Sequence, residues 1–231
     1  MRTTIAVMAL LMLACACQPE GTPVRVHDGT AGPFLVSPRW SADGRRLECA
    51  GLGGAGAYAL DLDAARLTRA ETAPAERSQH GRAGELRYEA YRGRILAGGG
   101  LLAEDAWAPA ASPDGSRVAY CLGHLSAATL VVQRTDGAVE LRVPGAQPAW
   151  TPGGGLVFCR PEAARGPDGR IVIAASDLFV LAPGAREPQP LTRTPEIAEM
   201  QPAVSPDGAR VACSDWRTGS LWVYGLEGVR P

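Results

Sequence analysis

Lysine is absent: all 23 basic residues in this chain of 231 are arginine. That removes the cation of a phosphate-binding loop, the amine of a Schiff-base enzyme and the lysine partner of a β-lactamase-type serine. The chain also lacks an excess of either charge, with 23 basic against 24 acidic residues and a formal net charge of −1. A protein that neutralises several phosphates needs a clustered basic excess, so nucleic acid is not an expected partner. Histidine is scarce, and His27, His80 and His124 stand apart with no Cys-x-x-Cys beside them, which leaves no zinc-ligand spacing. Neither a Gly-x-Ser-x-Gly elbow nor a His-Glu-x-x-His helix is found. Gly51-Leu-Gly-Gly-Ala-Gly56 has the glycine spacing of a dinucleotide loop, but the β-prone run Tyr58 to Leu62 follows where a helix must begin, so it reads as a hairpin connection. Asp61 with Asp63, or Asp215, could offer carboxylates to a metal; their settings read instead as turn caps or solvent-facing groups.

What is present begins with Arg2, the apolar run Ile5 to Leu13 and the small residues Ala14-Cys15-Ala16-Cys17. A basic start, a short apolar stretch and small residues describe a secretory signal that is too short to cross a bilayer. The cysteine after Leu13-Ala14 resembles the lipobox of bacterial lipoproteins. The resemblance implies lipidation of Cys15, with Cys17 as the fallback, and anchorage through the acyl chains alone. An ordinary cleaved signal is the plain alternative. The expected division is a signal peptide over 1–14, a lipidated tether over 15–22 and one folded domain over 23–231. Neither cysteine precedes Asp, which by analogy favours the outer membrane, on its periplasmic side.

Internal similarity is the main signal. Pro38-Arg-Trp-Ser-Ala-Asp-Gly44, Pro109-Ala-Ala-Ser-Pro-Asp-Gly115, Pro148-Ala-Trp-Thr-Pro-Gly-Gly154 and Pro202-Ala-Val-Ser-Pro-Asp-Gly208 are four copies of one unit. Each reads as strand, tight turn, strand. The turn residues Asp43 and Gly44, Asp114 and Gly115, Gly153 and Gly154, and Asp207 and Gly208 have a structural role: Asp bonds nearby amides, and Gly accepts the left-handed conformation. The leading proline is expected to hold the residue before it extended. Two more β-prone runs follow each of the first three copies, giving four strands per unit, the blade of a propeller. The fourth copy lacks its last strand, and Val24-Arg-Val-His27 is the candidate to supply it and close the ring.

The leading prolines are 71, 39 and 54 residues apart, against roughly 40 to 45 for a four-stranded blade. The first gap predicts a degenerate blade over 73–104, giving five blades, with four as the alternative; Tyr88 and Ile95-Leu96 read as strand, and Glu85 to Arg92 reads equally as a short helix. The third gap predicts an insertion over Pro161 to Ile173 containing a further turn, Gly166-Pro-Asp-Gly169. Cys49, Cys121, Cys159 and Cys213 fall at or beside one repeated strand position in separate units, which predicts buried free thiols rather than disulfides. Trp40 and Trp150 occupy one repeat position that Ala111 and Val204 fill elsewhere, a pattern of packing between blades. Trp107, Trp216 and Trp222 are candidates for a surface anchor, and the Arg- and Tyr-rich stretch Arg77 to Arg94 reads as a solvated face or a partner contact.

Together these copies resemble the TolB-type β-propeller repeats, Pro-x-Trp-Ser-Pro-Asp-Gly followed by an apolar strand, across residues 23–231. The resemblance implies an all-β propeller of four-stranded antiparallel blades. It also implies a binding scaffold for a protein or glycan of the cell envelope, monomeric and without cofactor. No catalytic residue can be assigned; the alternative is a propeller enzyme, a lactonase, lyase or hydrolase with a metal in its channel.

Overall fold

In the computed structural model, residues 23–70, 87–89 and 92–226 are described; Cys15, Cys17, the tether and most of the Arg77–Arg94 stretch lie outside them. The protein is all-β. The strands are β1 (Val24–His27), β2 (Leu35–Trp40), β3 (Arg46–Gly51), β4 (Ala57–Asp61), β5 (Arg66–Ala70), β6 (Arg87–Glu89), β7 (Arg94–Ala97), β8 (Gly100–Ala103), β9 (Ala106–Ala111) and β10 (Arg117–Leu122). They continue as β11 (Thr129–Arg134), β12 (Val139–Pro144), β13 (Ala146–Trp150), β14 (Leu156–Arg165), β15 (Ile171–Leu181), β16 (Gln189–Pro190), β17 (Glu199–Val204), β18 (Arg210–Asp215) and β19 (Leu221–Gly225).

These strands form four four-stranded antiparallel sheets and one three-stranded sheet, the five blades of a propeller. In chain order the blades are β2–β5, β6–β8, β9–β12, β13–β16 and β17–β19. The fifth is completed by β1, which pairs with β19 through Val24↔Val223 and Arg25↔Trp222, as the sequence predicts for the N-terminal strand. Successive blades pack through their inner strands, β2 against β17, β17 against β13 and β13 against β9, while β9 packs against the middle strand β7 of the second blade. No extensive contact between the first and second blades is found among the described residues. The second blade is the degenerate one. Its outer strand β8 runs directly into β9, as β12 runs into β13, so the strand it lacks among the described residues is the inner one. Arg87–Glu89 is a strand paired with β7, not the short helix that the sequence also allowed.

The predicted turns are present with one set of bonds. In the first, third and fifth blades the Asp carboxylate of Asp43, Asp114 or Asp207 accepts from the serine hydroxyl two residues before it and from the amide two residues after it. The serine hydroxyl in turn accepts from the amide of Arg46, Arg117 or Arg210. These bonds favour the charged carboxylate, which holds all three aspartates below their ordinary range, Asp114 at about 2. The Thr151–Gly155 turn is one residue shorter, closing from Thr151 N–H to Gly155 C=O at 2.8 Å. Gly155 therefore stands where the other blades carry arginine.

One expectation fails. The residue before each leading proline is not extended: Ser37, Ala108, Gln147 and Gln201 have φ of 53°, 47°, 55° and 56°. Each marks a bulge in its inner strand. The bulge turns a backbone N–H toward the neighbouring blade, and that bond offsets the strain. Ser37 N–H donates to Gln201 Oε1 at 2.7 Å, Gln201 N–H to Gln147 Oε1 at 2.9 Å, and Gln147 N–H to Cys121 Sγ at 3.3 Å.

The tryptophans at the repeat position latch blades together. Trp40 Nε1 donates to Ala203 C=O of the fifth blade at 2.8 Å, and the guanidinium of Arg210 lies 4.5 Å from its ring. Trp150 Nε1 donates to Ala110 C=O of the third blade at 2.9 Å, with Arg117 at 5.0 Å. Between the fourth and fifth blades both partners are missing, since Gly155 replaces the arginine and Val204 the tryptophan. The cysteines Cys49, Cys121, Cys159 and Cys213 are in no disulfide and are fully buried. Burial pushes the thiols of Cys49 and Cys159 up to about 12 and that of Cys213 well above its ordinary value, so all three stay protonated and inert.

Candidate binding face

Antiparallel blades put two kinds of connection on opposite ends. The Pro-Asp-Gly turns and the hairpins to the outer strands form a turn face; the links between second and third strands, with the crossings to the next blade, form a loop face. The turn face repeats. On the loop face each link is built differently, and there the sequence departs from its own repeat.

In the first blade the link is a 3-10 turn over Leu52–Gly54, with Leu52 half exposed. In the third it is a 3-10 turn over Leu125–Ala127, capped by the His124 ring, which accepts from Ser126 N–H. Trp107 Nε1 donates to Gly123 C=O at 2.7 Å and fixes the start of that turn. In the fifth blade the buried carboxylate of Asp215 accepts from Ala198 N–H, Arg217 N–H and Thr218 Oγ1. Asp215 thereby ties the link to the segment leading into β17; it caps its loop, and its partner Arg217 Nε is 3.9 Å away. Asp61 caps a turn through Ala64 N–H, and Asp63 pairs with Arg45.

The fourth blade carries the predicted insertion, folded as an extension of β14 and β15. The two strands pair from Leu156↔Leu181 out to Arg165↔Ile171, beyond the reach of β13, whose last partner on β14 is Cys159. Gly166 to Gly169 close the ribbon, with Gly169 N–H donating to Gly166 C=O at 2.9 Å, as the sequence anticipated. Ile171 and Val172 are 62% and 45% exposed, unusual for large aliphatic residues in a strand.

These pieces meet. His124, Leu125 and Ser126 of the third blade, Ile171, Val172 and Ile173 of the ribbon, and Trp216 and Arg217 of the fifth blade line one cavity of about 510 Å³. Its wall is apolar, its charged and titratable groups are Arg217 and His124, and no carboxylate lines it. Among the sequence candidates for an anchor, Trp216 is the one the structure places here. Trp107 supports a loop from behind, and Trp222 lies under Arg25 at 6.0 Å. Sequence reasoning missed Leu125 and Arg217; the signal available was their position in links that break the repeat.

Beside this face, under the link of the fifth blade, Glu199 is fully buried at the start of β17. Tyr224 donates to its Oε1 at 2.7 Å, and the Thr194 hydroxyl donates to the same oxygen. Its Oε2 has no partner, and burial raises the carboxyl to about 7. A second cavity of about 500 Å³ lies on the turn face, floored by the Arg117–Trp150 pair that packing between blades already explains. No group of three or more His, Cys, Asp or Glu side chains able to hold a metal is found among the described residues. Among them, too, no helix is long and apolar enough to cross a membrane.

No protein-family model matches the chain, and no curated protein matches it. Solved structures do. A TolB of Agrobacterium tumefaciens shares 19% identity, covering 78% of this chain and 69% of that one, with a TM-score of 0.43. Regucalcin, a calcium-binding protein of the same bacterium, shares 12% over 86% and 92% of the two chains at 0.45. The Swd1 β-propeller domain of Myceliophthora thermophila shares 11% over 83% of each at 0.45. The fold assignment itself stands on the strand topology: the chain is a β-propeller.

Proposed function

We propose that this chain is a membrane-anchored lipoprotein, held through Cys15 or, failing that, Cys17, whose propeller binds a partner in the bacterial cell envelope without catalysing a reaction. The observation that carries the binding reading is the cavity shared by three consecutive blades on the loop face. It joins exposed aliphatic groups, an indole and a guanidinium, the residue types that anchor recognition surfaces. The apolar run before Cys15 and the small residues around it support the anchor. Two carboxylates beside this face are engaged elsewhere: Asp215 holds its loop, and Glu199 is sealed from solvent.

The test has two arms in intact cells. Labelling with an alkyne palmitate should mark the wild type and vanish in a Cys15→Ser, Cys17→Ser double variant; persistent label contradicts the anchor. Chemical cross-linking should yield one protein adduct that is lost in Trp216→Ala while the variant keeps its circular dichroism. An adduct indifferent to Trp216 contradicts the binding face.

A further inference from the structure

The ribbon has two edges, and they are finished differently. On β14 the outward stretch reads Pro161-Glu-Ala-Ala-Arg165: a proline without an N–H and two charges, the usual means by which a strand edge avoids pairing with another chain. On β15 the stretch Ile171-Val-Ile-Ala-Ala175 has no charge and no proline. Neighbours occupy that edge only farther down. The backbone at Leu178 is bonded by Leu191, Thr192 and the Thr192 hydroxyl, β16 pairs at Phe179 and Val180, and Ser176 bridges to Ala198. From Ile171 to Ala175 no bond from another element reaches it among the described residues.

The backbone alternation says which groups are open. Gly166 N–H donates to Arg170 C=O at 2.7 Å, which makes that pair a hydrogen-bonded one. The next pair, Arg165↔Ile171, is then non-bonded, Ala164↔Val172 bonded and Ala163↔Ile173 non-bonded. The N–H and C=O of Ile171 and Ile173 therefore point away from β14, along the open edge. The cavity lined by Leu125, Trp216, Arg217 and His124 lies against the same three ribbon residues, so a strand laid on the edge would bring side chains to it.

From this juxtaposition we infer that β15 accepts an extended peptide segment of a protein partner as an added strand, its backbone pairing with Ile171 and Ile173 and an apolar side chain entering the cavity. The inference rests on the binding role of the loop face and gives its mode. Charge narrows the partner. The cavity carries Arg217 and His124 with no acid, and the ribbon tip holds Arg165 and Arg170 against Asp168 alone. The matching segment is acidic, alternating Asp or Glu with β-branched residues. A second copy of this chain is the weaker occupant, because five ribbon residues fall far short of the ~800 Å² per partner of a stable interface and would leave the cavity empty.

The test selects from a displayed library of random peptides of about 12 residues on the full chain in detergent micelles. Enriched sequences should alternate acidic with β-branched residues. They should bind Ile173→Thr, which keeps the N–H, as well as the wild type, and Ile173→Pro, which removes it, at least about tenfold more weakly. Arg217→Gln should weaken acidic peptides more than their amide counterparts. Peptides that bind Ile173→Pro unchanged but fail on Trp216→Ala would overturn strand addition while leaving the binding face intact. No enrichment, or a dimer in sedimentation that Ile173→Pro dissolves, would also overturn it.

Discussion

The two ends of this propeller are built on opposite rules. On the turn face, three blades repeat one Ser-x-Asp-Gly hydrogen-bond set and the fourth blade a shortened version of it, and two of the arginines that follow, Arg117 and Arg210, cover a tryptophan of the next blade. On the loop face the described links diverge: two 3-10 turns, one of them capped by a histidine, a long ribbon and an aspartate-bound loop. Repetition satisfies the backbone and seals the blades; departures from it are where recognition chemistry collects.

That contrast can be broken most severely in the core. Phe158 is fully buried in the fourth blade, and Phe158→Ala should cost about 4 kcal/mol in denaturant unfolding. The latches come next: Trp40→Ala and Trp150→Ala should each cost about 3 kcal/mol, and Val204→Ala, at the unlatched position, about 1 kcal/mol. Equal losses at all three sites would mean that the arginine–tryptophan pairs add nothing.

The ionisable groups of the two ends should oppose one another. Glu199 is raised to about 7 in the folded chain because burial disfavours its charge. Its protonated form stabilises the fold fully below the ordinary carboxylate range, and that stability is lost as pH rises toward and through 7, by on the order of 2 kcal/mol. Glu199→Gln should flatten this slope and raise stability above neutrality, as read from thermal midpoints across pH. Asp43, Asp114 and Asp207 are lowered, so their contribution is present above about pH 4 and is lost in acid. Ser205→Ala removes a buried hydroxyl that joins Asp207 to Arg210 N–H and should cost about 1 kcal/mol. Ile171→Ser, on the exposed ribbon, should change stability by less than about 0.5 kcal/mol.

Much of the repeated half is legible in the sequence because its chemistry is local. Ser-Pro-Asp-Gly dictates a turn wherever it stands, the closing strand Val24–His27 follows from counting strands, and Gly166–Gly169 announces the ribbon. What escaped depends on neighbours far along the chain. The left-handed Gln147 and Gln201 are strained alone and are compensated only by bonds from adjacent blades. Trp40 reads as packing, yet its N–H partner and its covering arginine lie more than 160 residues away. The cavity is harder still: Leu125, Ile171 and Trp216 share no motif and meet only because their blades are consecutive around the propeller.

The most direct measurement places a photo-reactive amino acid at Val172 on the loop face or at Asp136 on the turn face of the full-length protein and irradiates living cells. A partner adduct from Val172 alone, abolished by Trp216→Ala, is the predicted result. The same adduct from both positions, or one from Asp136 alone, would contradict the assignment of recognition to the face that does not repeat.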